Sequence, residues 1–430
     1  MKAEAKLQPS GTVDVVIIGA GHSGLAMSFF LAQDGIDHVI LERGEVANSW
    51  RKERWDSLRL LTPNWQCRLP GYQYAGNQPD AYMDMPQVVN FIDGYAQQIA
   101  APVQCHTEVT SVIDDDGLYR IETSRGVWRC RALVIASGAC NQAAIPALSQ
   151  AIPSHIQQFS TLNYHNPGQL PQGAVLVVGA SASGLQLAEE IHHSGRPVTL
   201  AVGEHVRMPR VYRGRDIQWW LDTCGLLDQD LQDVDDVNRV RQLPSPQLKG
   251  SDDRADLDLN GLSDIGVRLV GRLAAVRDEK VMFSGSLRNV CALADLKMNR
   301  LLNSIDEWID AFGHCSESPC HQRPANTRID DRPCLSLNLD SESINSVVWA
   351  TGYRPDYSWL HLPVIDAKGR LRHQGGVVDA PGVYALGLPF LRQRKSTFIH
   401  GIEDDARAMS AHCRNWLSEQ DTASHFRLAI

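Results

Sequence analysis

The chain has 430 residues, of which 43% are hydrophobic and 21% charged, and its formal net charge is -9. This length exceeds that of one ordinary domain and suits two or three soluble domains. The negative charge gives no reason to expect a nucleic-acid partner, because phosphate-binding surfaces are basic. Residues 1–10 lack the apolar core of a secretory signal, and the apolar runs are too short to span a membrane. We therefore expect a cytoplasmic protein without nucleic-acid or membrane partners.

The ten cysteines include no pair with the two-residue spacing of zinc knuckles or thioredoxin-type redox sites. His314 with Cys315 and Cys320 with His321 flank a four-residue polar stretch, which leaves a metal site or a redox pair open. Ser, Pro and Asn residues surround this stretch and are typical of a surface loop. We favour the loop interpretation and predict no metal centre.

The N-terminal part of the chain shows a strand–turn–helix–strand pattern. An apolar strand at residues 13–18 precedes a glycine-rich turn at 19–24, a helix at 25–33 and a strand at 39–41 that ends in Glu42. Units of this kind build a parallel doubly wound sheet.

The spacing of the glycines in this turn is that of a dinucleotide site. Gly19 permits a tight turn, Gly21 lets the backbone approach a pyrophosphate, and Gly24 allows close packing of helix against strand. The helix N-terminus would then bind the pyrophosphate through free backbone N–H groups and the helix dipole. Glu42 lies 18 positions after Gly24, where a carboxylate can accept hydrogen bonds from ribose hydroxyls.

The same pattern recurs about 160 residues later, with a strand at 175–178, a turn at 179–184, a helix at 185–193 and a strand at 198–202. Two independent nucleotide folds are therefore predicted, because a short-period repeat would recur far sooner. Ser181 replaces the middle glycine, which needs little extra space.

The second fold has Val202 where the first has the ribose carboxylate. Without a carboxylate there, a 2′-phosphate is not repelled, and Arg207 is placed to pair with it. Glu204 is the alternative, since it could bind a ribose. We favour NADPH over NADH.

Two further strands, at 132–135 and 347–349, end in similar tripeptides, which are Ala136-Ser137-Gly138 and Ala350-Thr351-Gly352. The chain is predicted to leave the first fold after Gly138 and to return near Ser343. The predicted fold class is α/β, with two doubly wound Rossmann-like domains and the second, NADPH-binding domain inserted into the first. The expected parts are residues 1–165 and 336–430 for the first domain and residues 166–335 for the second.

Three further features of the chain lead to predictions. A helix is expected at about 287–312, where Leu293, Leu296, Leu301, Ile305 and Ile309 lie near helical spacing. The acidic region 227–236 is expected to be a solvated helix or loop, in preference to a docking site. Proline-rich linkers around 146–171 and 316–343 are expected to let the inserted domain move.

Four further motifs suggest a family. Residues 48–51 resemble a GGxWR element, residues 55–63 an aromatic-Asp-Ser-Leu-Arg-Leu-x-Thr-Pro stretch, residues 350–354 an ATGY element, and residues 387–399 a segment that closes over a flavin ring. With both glycine-rich turns, the chain resembles the bacterial branch of the class B flavoprotein monooxygenases. This group includes flavin-containing monooxygenases, Baeyer–Villiger enzymes and YUCCA-like enzymes.

The resemblance implies that NADPH reduces FAD and that the reduced flavin forms a C4a-(hydro)peroxide with O2. One oxygen atom would then enter a small organic substrate, while bound NADP⁺ shields the adduct from water. The resemblance leaves the substrate and the type of oxygenation open, and the sequence leaves a homodimer open. No residue stands out as a catalytic acid, base or nucleophile.

The group fingerprint FxGxxxHxxx is only partly present, because Thr161 replaces its glycine between Phe159 and His165. His165 is interpreted as a structural linker residue in preference to a proton donor. The cofactor contacts expected from the turns and from the resemblance are, for FAD, Gly19, Gly21, His22, Ser23, Gly24, Glu42, Arg43, Trp50, Arg51, Thr62, Val109, Ala136, Gly138 and Gly387, and, for NADPH, Gly179, Ser181, Ser183, Gly184, Arg207, Ala350, Thr351 and Gly352.

Two rival functions share these folds. Pyridine-nucleotide disulfide reductases need a cysteine pair beside the flavin, but residues 42–82 contain only Cys67. A flavoprotein reductase or oxidase that passes electrons to a partner or to O2 therefore remains the main alternative. A dinucleotide sensor without catalysis is the third candidate.

Overall fold

The computed structural model describes residues 11–312 and 323–428, with side chains described as far as residue 422. The loop with Cys315 and Cys320 and the N-terminal residues 1–10 lie outside this part. Among the described residues, no helix combines the length and the apolar character that a membrane crossing requires.

The described residues form the following strands and helices. In chain order the strands are β1 Gly11–Ile18, β2 His38–Leu41, β3 Arg68–Leu69, β4 Tyr72–Gln73, β5 Val103–Gln104, β6 Val109–Asp115, β7 Leu118–Thr123, β8 Gly126–Ile135, β9 Gln142–Ala143, β10 Gln157–Ser160, β11 Ala174–Val178, β12 Val198–Val202, β13 Val211–Tyr212, β14 Arg215–Asp216, β15 Arg268–Gly271, β16 Leu273–Arg277, β17 Lys280–Phe283, β18 Ser336–Asn338, β19 Ile344–Trp349, β20 Tyr353–Arg354, β21 His373–Gln374, β22 Val377–Val378 and β23 Val383–Ala385. The helices are α1 His22–Gln33, α2 Asn48–Lys52, α3 Met85–Gln98, α4 Ala182–His193, α5 Ile217–Thr223, α6 Val237–Arg241, α7 Leu259–Asp264, α8 Leu287–Phe312 and α9 Ile402–Leu428.

The first sheet has the order β21-β22-β23-β8-β1-β2-β5, and the β6–β7 hairpin extends it from β8. Strands β23, β8, β1, β2 and β5 are parallel, so their carboxyl ends lie at one edge. Helices α1, α3 and α9 bury one face of the sheet, whose strands are almost fully apolar at their centres, as expected for a sheet covered on both faces.

Helices α1 and α9 run in the same direction over this face. The guanidinium of Arg407 lies over the ring of Phe30, and further along both helices Arg414 pairs with Asp34 at 2.8 Å. Both helices therefore begin at the carboxyl edge of the sheet, which is where parallel α/β sheets bind ligands.

The second sheet is parallel throughout, with the order β10-β19-β11-β12-β15. Helices α4 and α7 cover one face, and the three-stranded sheet β16-β17-β18 covers the other. The α/β fold with two doubly wound sheets is therefore confirmed. Strands β10 and β19 extend the second sheet beyond residues 166–335 on both sides, so we propose that the inserted domain is wider than the predicted one.

Helix α8 has the predicted bounds, but not all of the residues at helical spacing are buried. Leu293 and Leu296 are 48% and 47% exposed, whereas Met298, Leu302 and Ile305 are buried. The buried stripe is rotated because it follows the packing of α8 against the cluster around Trp220. Helical spacing alone does not say which stripe meets the core.

The acidic region was predicted to be solvated, yet residues 227–230 pair with residues 393–395 of the first fold. The backbone N–H of Arg394 donates to the carbonyl of Gln229 at 3.0 Å, and that of Lys395 donates to Leu227 at 3.2 Å. The Lys395 ammonium also pairs with Asp228 at 2.6 Å. Residues 227–230 therefore connect the inserted fold to the first fold, and this segment is called the strap below.

A buried polar cluster joins the folds at a second place. The Arg210 guanidinium is 0% exposed, pairs with Asp216, donates to the carbonyl of Leu61 at 2.9 Å and lies over the ring of Tyr82. The Tyr82 hydroxyl in turn donates to Asp216. Breaking such a junction would leave charges unpaired, so the linkers do not by themselves make the inserted domain free to move.

Candidate cofactor-binding sites

The first glycine-rich turn is built so that a side chain cannot replace two of its glycines. Gly19 has a φ of +108°, and a Cβ there would lie 2.5 Å from the carbonyl oxygen of Ala136. A Cβ on Gly24 would lie 2.0 Å from the carbonyl oxygen of Gly19. These two glycines therefore let β1, β8 and α1 approach one another closely.

Gly21 differs, because a Cβ on it would meet no atom within 4 Å in the described structure. Helix α1 begins at the next residue, and neither a side-chain cap nor an acidic residue of its first turn occupies its N–H groups there. The helix dipole and these N–H groups favour an anion at this point. Gly387, with a φ of +72°, lies against Ser23 at the start of the same helix.

Glu42 is buried at the end of β2, with 7% of its surface exposed. One carboxylate oxygen accepts from the N–H of Ala20 and the other from the N–H of Gly44, both at 2.9 Å. These bonds hold the carboxylate against the glycine turn, and each oxygen keeps a second acceptor position for a ribose hydroxyl.

Three polar atoms beside this turn are buried without a hydrogen-bond partner in the described part of the chain: Nε2 of His22, Oδ1 of Asn48 and Oγ of Ser137. Such groups are uncommon in folded proteins and call for a missing partner. Burial lowers the pKa of His22 to about 4, so the imidazole is neutral near neutral pH. The turn, the uncapped helix and these atoms fit FAD. Asn48 and Ser137 lie in recognised motifs but were not among the predicted contacts.

The other residues predicted for FAD lie around this turn with different partners. Arg43 pairs with Glu53, and Arg51 pairs with Asp93 while donating to the carbonyl of Val46 at 2.9 Å. These two guanidinium groups therefore have protein partners. Their contact with FAD, and that of Trp50, Thr62 and Val109, stays a prediction.

The second turn repeats the geometry of the first. Gly179 has a φ of +112°, and a Cβ there would lie 2.2 Å from the carbonyl oxygen of Ala350. A Cβ on Gly184 would lie 1.9 Å from the carbonyl oxygen of Gly179. Ser181 precedes α4, whose N-terminus has no side-chain cap among the described residues. Gly352, with a φ of +91°, follows Ala350 at the same edge. This turn fits a second dinucleotide.

Arg207, which was predicted to bind a 2′-phosphate, has protein partners in this structure. Its guanidinium is 4% exposed and pairs with Asp258 at 2.6 Å and with Asp295 at 2.7 Å. It also donates to the carbonyl of Ala325 at 2.7 Å. Arg207 is therefore a buried structural residue that ties the segment after β12 to α7 and α8.

Val202 in the second fold is equivalent to Glu42 in the first. Each follows the strand residue that pairs with the last residue of the preceding strand, since Ile18 pairs with Leu41 and Val178 with Ala201. The carboxyl end of β12 thus lacks a carboxylate at this position, as predicted. Two residues on, the exposed Glu204 pairs with Lys297 of α8 at 3.3 Å. Sequence reasoning did not find Lys297, because α8 lies almost 100 residues further along the chain.

Gln247 was also missed. It is 0% exposed, its Nε2 donates to the carbonyl of Ala180 in the second turn at 2.8 Å, and its backbone N–H donates to Val206. Gln247 therefore links the turn to the segment after β12.

The partial fingerprint has a structural role. Nδ1 of His165 donates to the carbonyl of Arg54 at 3.1 Å, and the carbonyl of His165 accepts from the N–H of Asp56 at 2.8 Å. The Arg54 guanidinium lies over the rings of Trp50 and Tyr353. His165 thus fixes a segment between the two glycine-rich turns, which are called the first cradle (residues 19–24) and the second cradle (residues 179–184) below. This agrees with its interpretation as a linker residue.

Comparisons with known proteins agree with this architecture. Residues 16–223 match the family described as pyridine nucleotide-disulphide oxidoreductase. An uncharacterized CzcO-like oxidoreductase of Geobacillus kaustophilus is 29% identical over 92% of this chain and 96% of its own. The probable indole-3-pyruvate monooxygenase YUCCA3 of Arabidopsis thaliana is 27% identical over 46% of this chain and 48% of its own.

A solved structure gives the same fold. The flavin-containing monooxygenase from Stenotrophomonas maltophilia aligns with a TM-score of 0.65 at 18% identity, over 95% of this chain and 99% of its own. The chain is thus similar to uncharacterized CzcO-like oxidoreductases over almost its whole length and to a flavin-containing monooxygenase in its fold. The comparisons support an oxidoreductase with sites for FAD and NADPH.

Gly21→Val should abolish FAD binding, because the new side chain would occupy the place of the pyrophosphate. The fold should survive, since a Cβ at this position meets nothing within 4 Å. Gly203→Val, whose Cβ position is equally open but lies beyond β12, should keep its FAD. Absorbance of the purified proteins measures the bound flavin. Stoichiometric FAD in Gly21→Val would refute the assignment of the first cradle.

Arg207→Met should destabilise the fold by about 3–5 kcal/mol, because it leaves the carboxylates of Asp258 and Asp295 without their buried cation. Arg328→Met removes an exposed arginine paired with Asp264 and should cost less than about 1 kcal/mol. Urea unfolding measures both. A fully stable Arg207→Met protein with a selectively higher Michaelis constant for NADPH would restore the original prediction.

Proposed function

We propose that this chain is an FAD-dependent, NADPH-consuming monooxygenase that inserts one oxygen atom from O2 into a small organic substrate. FAD would occupy the cradle of Gly19, Gly21 and Gly24, and NADPH the cradle of Gly179, Ser181 and Gly184. Bound flavin supplies the acceptor for hydride and the site at which dioxygen is activated. The chain itself binds both cofactors, orients them towards each other and excludes water.

The thiols near the first cradle help to distinguish oxygen from a disulfide as the electron acceptor. Cys67 is 1% exposed, and burial raises the pKa of its thiol to about 12. Burial also raises the pKa of Cys140, which follows the Ala136–Gly138 turn. Disulfide reductases need an accessible, low-pKa thiolate. These two cysteines offer none, which supports oxygen chemistry over dithiol chemistry.

The strap between the folds supports the exclusion of water. Residues 387–399, which the resemblance assigns to closure over the flavin ring, are held by residues 227–230 of the inserted domain. The Lys395 ammonium joins Asp228 at 2.6 Å and Asp404 of α9 at 3.1 Å. The closing segment is thus attached both to the inserted domain and to the start of α9, where it can shield the reacting atoms.

We propose that Lys297, in place of the buried and paired Arg207, determines the selectivity for NADPH over NADH. Its ammonium lies 3.3 Å from Glu204 at the carboxyl end of β12, and its side chain is 30% exposed. A 2′-phosphate could replace Glu204 as its partner.

The direct test measures where the electrons and the oxygen go. NADPH oxidation, hydrogen peroxide release and product mass would be followed under labelled O2 with sulfides, amines, indoles and ketones. The proposal expects at least one class to lower peroxide release and to gain one labelled oxygen atom. Peroxide release that accounts for all NADPH with every class would favour an oxidase. No turnover without an added protein acceptor would favour a reductase, and NADPH binding without turnover a sensor.

Lys395→Met should raise the fraction of NADPH lost as hydrogen peroxide, because it releases the closing segment from Asp228 and Asp404. We expect an increase of severalfold with little change in bound FAD. Lys368→Met, which removes an exposed lysine from a distant turn, is the matched control and should leave this fraction unchanged. An unchanged fraction in Lys395→Met would show that the strap does not shield the site.

A further inference from the structure

Gln66 is a buried polar side chain with no protein partner. The residue is 0% exposed, and neither Nε2 nor Oε1 of its carboxamide forms a hydrogen bond within the described part of the structure. Burial of an amide without partners is costly, and most buried side-chain polar atoms are hydrogen-bonded. An amide that is unpaired at both ends therefore points to a bound group that the protein itself does not supply.

Gln66 follows Thr62, one of the predicted FAD contacts, by four residues. It ends the short 3-10 helix Asn64–Gln66, and its backbone N–H donates to the carbonyl of Pro63 at 3.0 Å. The next residue, Cys67, packs in the hydrophobic cluster that also contains Ala20 of the glycine turn and Ile402 at the start of α9. Gln66 thus adjoins the cluster that supports the first glycine-rich turn.

A second unpaired group lies in the same region. His400 is 5% exposed, and its Nε2 has no partner among the residues described. Burial, together with the charges of Arg68 and Lys395, lowers the pKa of its imidazole to about 3. Arg68 is two residues from Gln66, so the segment after the 3-10 helix and the segment before α9 approach each other here. The two neighbouring segments thus each contain a buried polar side chain without a partner among the described residues.

We infer that the Gln66 carboxamide binds the pyrimidine edge of the flavin ring. A carboxamide offers one acceptor and one NH2 donor, and the pyrimidine edge presents an N3–H donor flanked by two carbonyl acceptors. The two groups are complementary in the way that a carboxamide matches a base edge in nucleic acids. The inference rests on the proposed function, because it needs FAD in the first cradle.

A cofactor contact and a structural role of Gln66 predict different effects of a substitution. A structural glutamine stabilises the protein through its own hydrogen bonds, and its loss weakens the fold. Gln66 has no such bonds to lose, so Gln66→Met, which has a similar shape, should leave the flavin-free protein equally stable or more stable. The same variant should bind FAD more weakly.

The experiment compares FAD with 3-methyl-FAD, which lacks the N3–H donor, on flavin-free protein. The wild type should bind FAD about tenfold or more tightly than 3-methyl-FAD, since one or two buried hydrogen bonds are at stake. Gln66→Met should bind FAD more weakly by a similar factor and should no longer distinguish the two flavins. Its bound flavin should also show a shifted visible spectrum and reduction potential.

Gln73→Leu, a change of an exposed glutamine on β4, is the matched control and should behave as the wild type. A Gln66→Met protein that binds FAD with wild-type affinity and keeps the discrimination against 3-methyl-FAD would overturn the inference. Thermal unfolding of the flavin-free variant checks that it folds, and a clear loss of stability would also overturn the inference. Failure of the wild type to bind any FAD would instead contradict the proposed function.

Discussion

The contact between a strand-end carbonyl and a turn glycine sets the geometry of both cradles. The carbonyl oxygens of Ala136 and Ala350 lie 2.5 Å and 2.2 Å from the positions that a Cβ would take on Gly19 and Gly179. Each contact brings two neighbouring strands and the following helix together at one edge of a sheet. Because only glycine permits the approach, the position of each helix N-terminus depends on this contact.

The two cradles lower the stability of the protein without ligands. Each begins a helix whose N-terminus lacks a side-chain cap in the described structure, and His22, Asn48, Gln66 and Ser137 carry buried polar atoms without partners there. Unpaired buried groups lower stability, so a ligand that pairs with them recovers free energy on binding. The features that weaken the empty protein are therefore those expected to bind the cofactors.

The contacts between the folds determine how the cradles face each other. The Arg210–Asp216–Tyr82 cluster is buried, and the strap at residues 227–230 is separately hydrogen-bonded to the closing segment. Both use charged or polar groups from distant parts of the sequence. A fixed arrangement would let hydride transfer and oxygen chemistry share one enclosed site, as water exclusion requires.

The local features of this architecture could be predicted from the sequence. The glycine turns, the strand–helix–strand units that contain them and α8 followed from spacing, since each depends on neighbouring residues. The partners of Arg207 could not be predicted, because Asp258 and Asp295 lie 51 and 88 residues away. The buried face of α8 and the place of β19 in the second sheet likewise depend on tertiary packing. Gln66 carried no sequence signal, because a missing partner is visible only in three dimensions.

The central claim is that one chain holds both dinucleotides and passes hydride between them. Anaerobic titration of the FAD-loaded protein with NADPH tests it most directly, with the visible flavin absorbance as the measurement. We expect complete bleaching of the flavin with an equimolar amount of NADPH and recovery of its absorbance when O2 is admitted. Flavin that remains oxidised with excess NADPH, although dithionite reduces it, would contradict hydride transfer between the two bound dinucleotides.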